Sequence, residues 1–275
     1  MERNNGVHYD NISGIWPLFM SNHFHYGYFS KKTYSLDNAT DNLVLKLSSL
    51  HEINQNTKII DVGCGIGQAS IMLNSKYNCK ICGISNSEVG INTAKNRVKE
   101  SGLEKDMEFQ FGDTEKNILP DGPFDIAWIM EVTHLIKNKE DAFKNISHKL
   151  NKNGVILMSD LCSTNKFTLK EIVKFKREIE VLHKVFGYTI LKTKKVYKSM
   201  FQNMGYQVIR MDDISKEVFP TIEAWGKNAL ANREQIIALS NVEYFTYLLQ
   251  SFDYLNFFFK NKYIGYFLLF SQKNE

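Results

Sequence analysis

The stretch Asp61-Val-Gly-Cys-Gly-Ile-Gly67 restricts what this chain can fold into more than any other. The apolar run Lys58 to Val62 precedes it and reads as a buried strand, and Gln68 to Leu73 follows as the first turns of a helix. Strand, glycine turn and helix, in that order, bring backbone N–H groups up to a ligand. Gly63, Gly65 and Gly67 leave space where side chains would stand and permit positive φ. The spacing G-x-G-x-G differs from the G-x-G-x-x-G of dinucleotide enzymes, whose last glycine lets helix and strand pack closely. Here that slot is Gln68 counted from Gly63, or Ser70 counted from Gly65. The spacing therefore speaks against a nicotinamide dehydrogenase. Asp61, two residues before the first glycine, can take an ammonium group directly or through water.

A chain of 275 residues accommodates one large α/β domain or a domain with an insertion. With 43% hydrophobic residues a sizeable core forms and disorder is not expected. A net charge of +4 is too small for a dedicated nucleic-acid surface. The densest basic run, Lys192 to Lys198, reads as a solvated helix face. The polar start, Met1 to Asn5, carries no signal-peptide core, and Phe252 to Phe270 is broken by Asp253, Lys260 and Lys262, so no membrane span is expected. The expectation is a soluble, cytoplasmic protein. Cys79 and Cys82 spell C-x-x-C, but on a strand residues three apart face opposite ways, so they neither pair nor clamp a metal. With no second C-x-x-C, the four cysteines are read as free thiols and no metal site is expected.

Taken in order, the chain alternates strands and helices. An aromatic segment from Val7 to Phe29 stands first, either a lid over a ligand or a cover on hydrophobic surface. A helix spans Leu36 to Leu50. The second strand ends at Ser85, and Ser87 is placed to cap a helix that Gly102 ends. Met107 to Phe111 and Phe124 to Met130 are the third and fourth strands, Lys139 to Leu150 a helix, and Val155 to Asp160 the fifth strand. Periodicity predicts long helices over Thr168 to Phe186 and Thr221 to Phe259, with Tyr206 to Arg210 and Tyr263 to Phe270 as the last strands. Such alternation calls for an α/β fold, a Rossmann-like, seven-stranded, mostly parallel sheet with helices on both faces and a helical lid. The expected division is an N-terminal aromatic lid (1–57), a cofactor-binding core (58–160), a helical cap containing strand six (161–262) and a final core strand (263–275).

With these residues in place, Asp61-x-Gly63-x-Gly65-x-Gly67 resembles motif I of the class I S-adenosylmethionine-dependent methyltransferases. Ile84-Ser-Asn-Ser-Glu-Val89 resembles the I-S-x-x-Q-V stretch of one branch, which holds sterol methyltransferases, cyclopropane fatty-acid synthases and sugar and natural-product O-methyltransferases. Glu88 stands where that branch has Gln. Glu131 and His134 match the branch's Glu followed by His after the fourth strand, and Tyr26 falls where it places a tyrosine near the methionine end of the cofactor. The resemblance is strongest from Lys58 to Asp160.

The resemblance implies S-adenosylmethionine as cofactor. The glycine loop with Asp61 and Tyr26 would hold its methionine half, Ser85, Asn86 and Glu88 its ribose, and Asp113 with Thr114 its adenine, with Gln68 and Met130 as further cofactor contacts. Its methyl group is already electrophilic on the sulfonium. The protein has to align the acceptor, exclude water and take a proton, and alignment alone contributes up to about 7–11 kcal/mol in intramolecular models. His134, beyond the fourth strand, is the expected base for O-methylation of a small hydroxylated molecule. C-methylation of an alkene, with Tyr9, Trp16, Tyr26 and Glu131 around a carbocation, and N-methylation of an amine are the alternatives. A protein that binds the cofactor without chemistry is a more distant one. Tyr9 and Trp16 are the expected substrate contacts, and Glu131 joins His134 as a catalytic candidate. The expected partner is a small molecule, with no nucleic acid; a homodimer is left open.

Overall fold

The computed structural model describes residues 5–31, 33, 35–164 and 167–274. Two short helices, α1 (Asn5–Ile12) and α2 (Pro17–Met20), open the chain, and α3 (Leu36–Ser48) follows. Then come β1 (Lys58–Val62), α4 (Gln68–Tyr77), β2 (Lys80–Ser85), α5 (Glu88–Glu100), β3 (Met107–Phe111), β4 (Phe124–Met130), α6 (Lys139–His148) and β5 (Leu150–Ser163). The second half runs α7 (Leu169–Lys174), α8 (Lys176–Phe186), α9 (Lys194–Asn203), β6 (Tyr206–Asp213), α10 (Ser215–Val218), α11 (Pro220–Ala231), α12 (Arg233–Leu239), α13 (Val242–Lys260) and β7 (Ile264–Lys273).

One seven-stranded sheet takes the order β3-β2-β1-β4-β5-β7-β6, parallel except where β7 runs antiparallel to β5 and β6. Side chains alternate between two cores, as a strand requires. Ile59, Ile126, Trp128 and Leu157 face one side with α3, α5 and the N-terminal helices. Ile60, Ala127, Ile129 and Ile156 face the other with Phe143, Tyr197 and Phe201. From β1 the chain winds outward to β2 and β3, then returns to β4 on β1's other side. Strand order reverses there, and the crevice beyond the carboxyl ends of β1 and β4 is where such sheets bind ligands.

Two expectations of long helices are corrected. The 168–186 segment is two helices that break at Phe175, whose backbone (φ −101°, ψ 20°) leaves the helical region. Its ring is buried against Phe257, Phe258 and Tyr263, so packing decides the break. The 221–259 segment is α11, α12 and α13, interrupted at Asn232 and at Ser240–Asn241, where the Asn241 side chain caps α13. Strand five runs on to Ser163 because β7 pairs with it from Val155 to Ser163. The basic run lies along α9, which buries Tyr197, Met200 and Phe201 and leaves Lys195 and Lys198 exposed.

Candidate active site

The glycine loop follows β1 with φ of 76°, 53° and 76° at Gly63, Gly65 and Gly67. The three glycines answer different demands. A Cβ at Gly63 would stand 2.5 Å from Val132, and one at Gly67 2.9 Å from Ala94 and 3.0 Å from Phe109. Gly67 thus serves the packing of α5 and β3. A Cβ at Gly65 would meet nothing within 4 Å, and Gly65 lines an open cleft. That open space beside a loop backbone is the room a ligand needs.

Ser85, Asn86 and Ser87 at the end of β2, then Gly112, Asp113 and Thr114 after β3, line the same cleft, with Met130 and Glu131 at the end of β4. Tyr9 and Trp16 close it from the lid side. Asp113 Oδ1 accepts from the backbone N–H groups of Glu115 and Lys116, which fixes the turn it belongs to. Asp61 and Gln68 line a small recess behind the loop, reached past Gly63, Gly65 and Met130. Burial pushes Asp61 up to about 7, against the opposing hydrogen bond from Ser70 at 2.5 Å. Gln68 is engaged by Arg97 at 2.7 Å. His23 and His25 also line this recess and form a chain from Asp41 (2.9 Å) through each other (3.0 Å) to the carbonyl of Tyr26 (2.6 Å).

Two further residues singled out in the sequence line neither this cleft nor the recess behind the loop. Glu88 is exposed in the first turn of α5 and does not line the cleft. Ser87, which caps that helix, points its hydroxyl there instead, toward Asp10 of the lid (2.5 Å). Tyr26 packs its ring on Trp225, Phe259 and Tyr266 and lines a second cavity rather than the cleft beside the glycine loop.

Glu131 sits at the end of β4 with φ 53°, a backbone state most residues avoid. Its carboxylate Oε1 accepts from the Tyr26 N–H (2.8 Å) and the Tyr266 hydroxyl (2.6 Å). Burial outweighs both bonds and pushes its pKa up to about 8. Three residues on, His134 is buried with Nδ1 2.6 Å from Oδ1 of Asp160, at the end of β5. Asp160 also accepts from the Thr133 hydroxyl and from the backbone N–H groups of His134 (3.1 Å) and Leu161 (2.7 Å). Burial alone would raise the Asp160 pKa; His134 and these donors outweigh it and hold the carboxyl below its ordinary range. A carboxylate can only accept, so His134 Nδ1 donates and Nε2 remains the free ring nitrogen. Asp160 was read only as the last residue of a strand; an acid ending an apolar run beside the strand bearing His134 was the available signal.

His134 lines the second cavity, walled by Phe24, Phe167, Leu182, Phe186, Trp225 and Phe258 among others. Tyr9, Trp16, Phe24 and Glu131 border both cavities, so the two meet at these residues. Tyr9 and Trp16 stand edge to face at 4.8 Å. Among the described residues no group of His, Cys, Asp or Glu is arranged to hold a metal ion, and the four cysteines are free.

A mostly parallel sheet with a glycine loop at its reversal point, a cleft shaped by that loop and a cavity joined to it, together with the family match that follows, define an S-adenosylmethionine-dependent methyltransferase. The chain belongs to the family described as mycolic acid cyclopropane synthetase, whose model matches residues 1–267. It is 22% identical over 239 residues to 27-O-demethylrifamycin SV methyltransferase of Amycolatopsis mediterranei, covering 86% of this chain and 85% of the relative. It is 27% identical over 200 residues to phosphoethanolamine N-methyltransferase of Plasmodium falciparum, covering 70% of each. The crystal structure of mycolic acid cyclopropane synthase CmaA1 complexed with SAH and CTAB superposes with a TM-score of 0.88 at 20% identity, covering 98% of this chain and 96% of that one. The relatives thus include O-, N- and cyclopropane-forming enzymes, and the cofactor is S-adenosylmethionine.

Proposed function

We propose that this methyltransferase O-methylates a hydroxyl on a largely apolar, ring-bearing small molecule, with His134 as general base and Asp160 as the residue that positions it. The 2.6 Å contact between His134 Nδ1 and Asp160 carries this reading. It fixes the tautomer and leaves Nε2 to receive the hydroxyl proton, and the carboxylate stabilises the imidazolium that results. Asp160 keeps its charge because Thr133, Leu161 and the His134 backbone also donate to it. A largely aromatic and aliphatic wall beside the base that Asp160 holds suits an acceptor with a reactive hydroxyl on an apolar body.

The cofactor supplies an electrophilic methyl group when bound. Gly63, Gly65 and Asp61 would hold its amino-acid end, Ser85 and Asn86 its ribose, and Asp113 and Thr114 its adenine. Met130 and Glu131 would stand where the cleft passes into the acceptor cavity. Tyr9 and Trp16 would close over the junction and exclude water. Asp61, pushed up to about 7, would gain charge beside an ammonium group.

C-methylation of an alkene has one supporting feature, the rings of Tyr26, Trp225 and Tyr266 near Glu131. Glu131 with its pKa near 8 is mostly neutral at pH 7, a poor countercharge for a carbocation, and this favours the oxygen acceptor. Incubation with isotopically labelled cofactor and panels of phenols, alcohols, amines and alkenes tests the assignment. Label on oxygen that His134→Ala abolishes supports it; label on carbon or nitrogen, or turnover indifferent to His134, refutes it.

A further inference from the structure

The six-residue helix α7 buries none of its side chains. Leu169 is 82% exposed, Val173 74% and Ile172 45%, and their spacing puts all three on one face. The chain on either side is anchored: Phe167 stacks on Tyr263 at 5.5 Å, and Phe175 packs on Tyr263 at 5.1 Å and on Phe257 at 5.6 Å. Phe257 is itself 40% exposed, so the apolar surface continues onto the end of α13. Exposed cations flank it along the chain: Lys170, Lys174, Lys176 and Arg177 on α7 and the first turn of α8, Lys260 and Lys262 at and after the end of α13, with the Lys260 ammonium over the Phe219 ring. Among the described residues no ion pair neutralises Lys170, Lys174, Lys260 or Lys262. The one acid of α7, Glu171, is turned to its own N-terminus, where it accepts from the Thr168 N–H and hydroxyl at 2.8 Å each. Ile172 and Phe167 also line the large apolar cavity, so this surface is its rim.

We propose that this rim docks on an anionic lipid bilayer, with Leu169, Ile172, Val173 and Phe257 below the headgroups and the lysines against lipid phosphates. A protruding apolar helix flanked by cations is the chemistry of interfacial binding. One six-residue helix and the tip of another offer far less than the roughly 800 Å² per partner of a stable protein interface, whereas a bilayer needs only a few inserted side chains. Docked this way, the cavity opens at the hydrocarbon boundary, and an apolar acceptor enters past Ile172 without crossing water. That last step depends on the cavity being the acceptor site; the docking itself does not.

The test is co-sedimentation of the full chain with vesicles of phosphatidylcholine alone and of an equal mixture with phosphatidylglycerol. The expected result is binding to the mixed vesicles that high salt reverses. Leu169→Ser with Val173→Ser, and separately Lys170→Glu with Lys174→Glu, should each weaken it roughly tenfold or more. Both pairs should keep the wild-type melting temperature and its rise with S-adenosylhomocysteine, since these side chains are exposed. Equal sedimentation with both vesicle types, or variants that bind like wild type, overturns the proposal. So does a chain that ignores vesicles but is a dimer which the serine pair converts to monomer, because the patch is then a contact between copies. None of these readouts depends on methyl transfer, so a wrong acceptor assignment would leave them intact.

Discussion

Asp160 lies 26 residues from His134 along the chain and 2.6 Å from its ring in space. Asp160→Asn keeps the shape and can still accept from Thr133 and the backbone but loses the charge. Turnover should fall by roughly 10²- to 10⁴-fold, the range for losing general-base assistance. Affinity for S-adenosylhomocysteine, measured by calorimetry, should change little, because neither residue lines the cofactor cleft. Glu131 leads to a prediction about stability. Its pKa rises from 4.5 in the unfolded chain to about 8 in the fold, so the folded state retains a proton the unfolded state releases. Its contribution is complete below about pH 4.5 and lost as pH rises through about 8. Glu131→Gln keeps the acceptor for Tyr26 and Tyr266 and carries no such proton. Wild type should therefore lose a few kcal/mol relative to the variant between pH 5 and 9, read by denaturant unfolding at each pH. At this scale the sequence disclosed what is local. Gly63, Gly65 and Gly67 declare a turn by their own backbone freedom, and Glu131 and His134 sit three apart on one loop. Asp160, Tyr266 and Asp10 were hidden because their roles depend on other strands and on a lid whose approach no local pattern encodes.

Helix α1, whose Asn5 and Tyr9 line the cleft, is fastened at both ends. Asp10 Oδ1 accepts from the Ser87 hydroxyl (2.5 Å) and the Val89 N–H (3.2 Å) at the start of α5. The Asn5 side chain donates to the carbonyls of Leu135 and Tyr188 (3.1 Å each) and accepts from the Tyr188 N–H (2.9 Å). A carboxylate at a helix N-terminus is favoured by the exposed amides and the dipole. Asn5→Ala with Asp10→Ala removes five bonds and should release S-adenosylhomocysteine up to roughly 10³- to 10⁴-fold faster, at about 1 kcal/mol net per bond lost. Stopped-flow displacement measures the rate; an unchanged rate would mean that the cofactor leaves by another route. The same segment shows why helices were harder to bound than strands. Strand β3 keeps its sequence-predicted limits because its alternation ends at Gly112-Asp113, and β4 because its apolar run is bounded by Gly122-Pro123 and Glu131. The break at Phe175 lies inside unbroken apolar periodicity, and what Phe175 packs against comes from α13, more than eighty residues away.

Across the whole molecule, the sheet connects the two cavities to one folding unit. Its last strand, β7, lies between β5 and β6 and carries Tyr266, which donates to Glu131 at their border. A ligand held between the glycine loop after β1, the turn after β3 and the end of β4 touches three strands and the lid, so its binding should stabilise the entire fold. A ligand at a hundred times its dissociation constant adds about 2.7 kcal/mol. For a domain of this size that corresponds to a rise in Tm of roughly 5–10 °C. S-adenosylhomocysteine should produce this shift, and NADH should not, because the G-x-G-x-G turn lacks the third glycine of the dinucleotide pattern. Gly65→Val separates the fold from the site. The added side chain meets no protein atom near its Cβ but enters the cleft, and at φ 53° it costs on the order of 1–3 kcal/mol. The variant should still melt cooperatively, somewhat below wild type, and should not respond to S-adenosylhomocysteine. A full shift in the variant would mean that the loop backbone does not face the cofactor, and a shift with NADH would return the fold to the dinucleotide-binding enzymes.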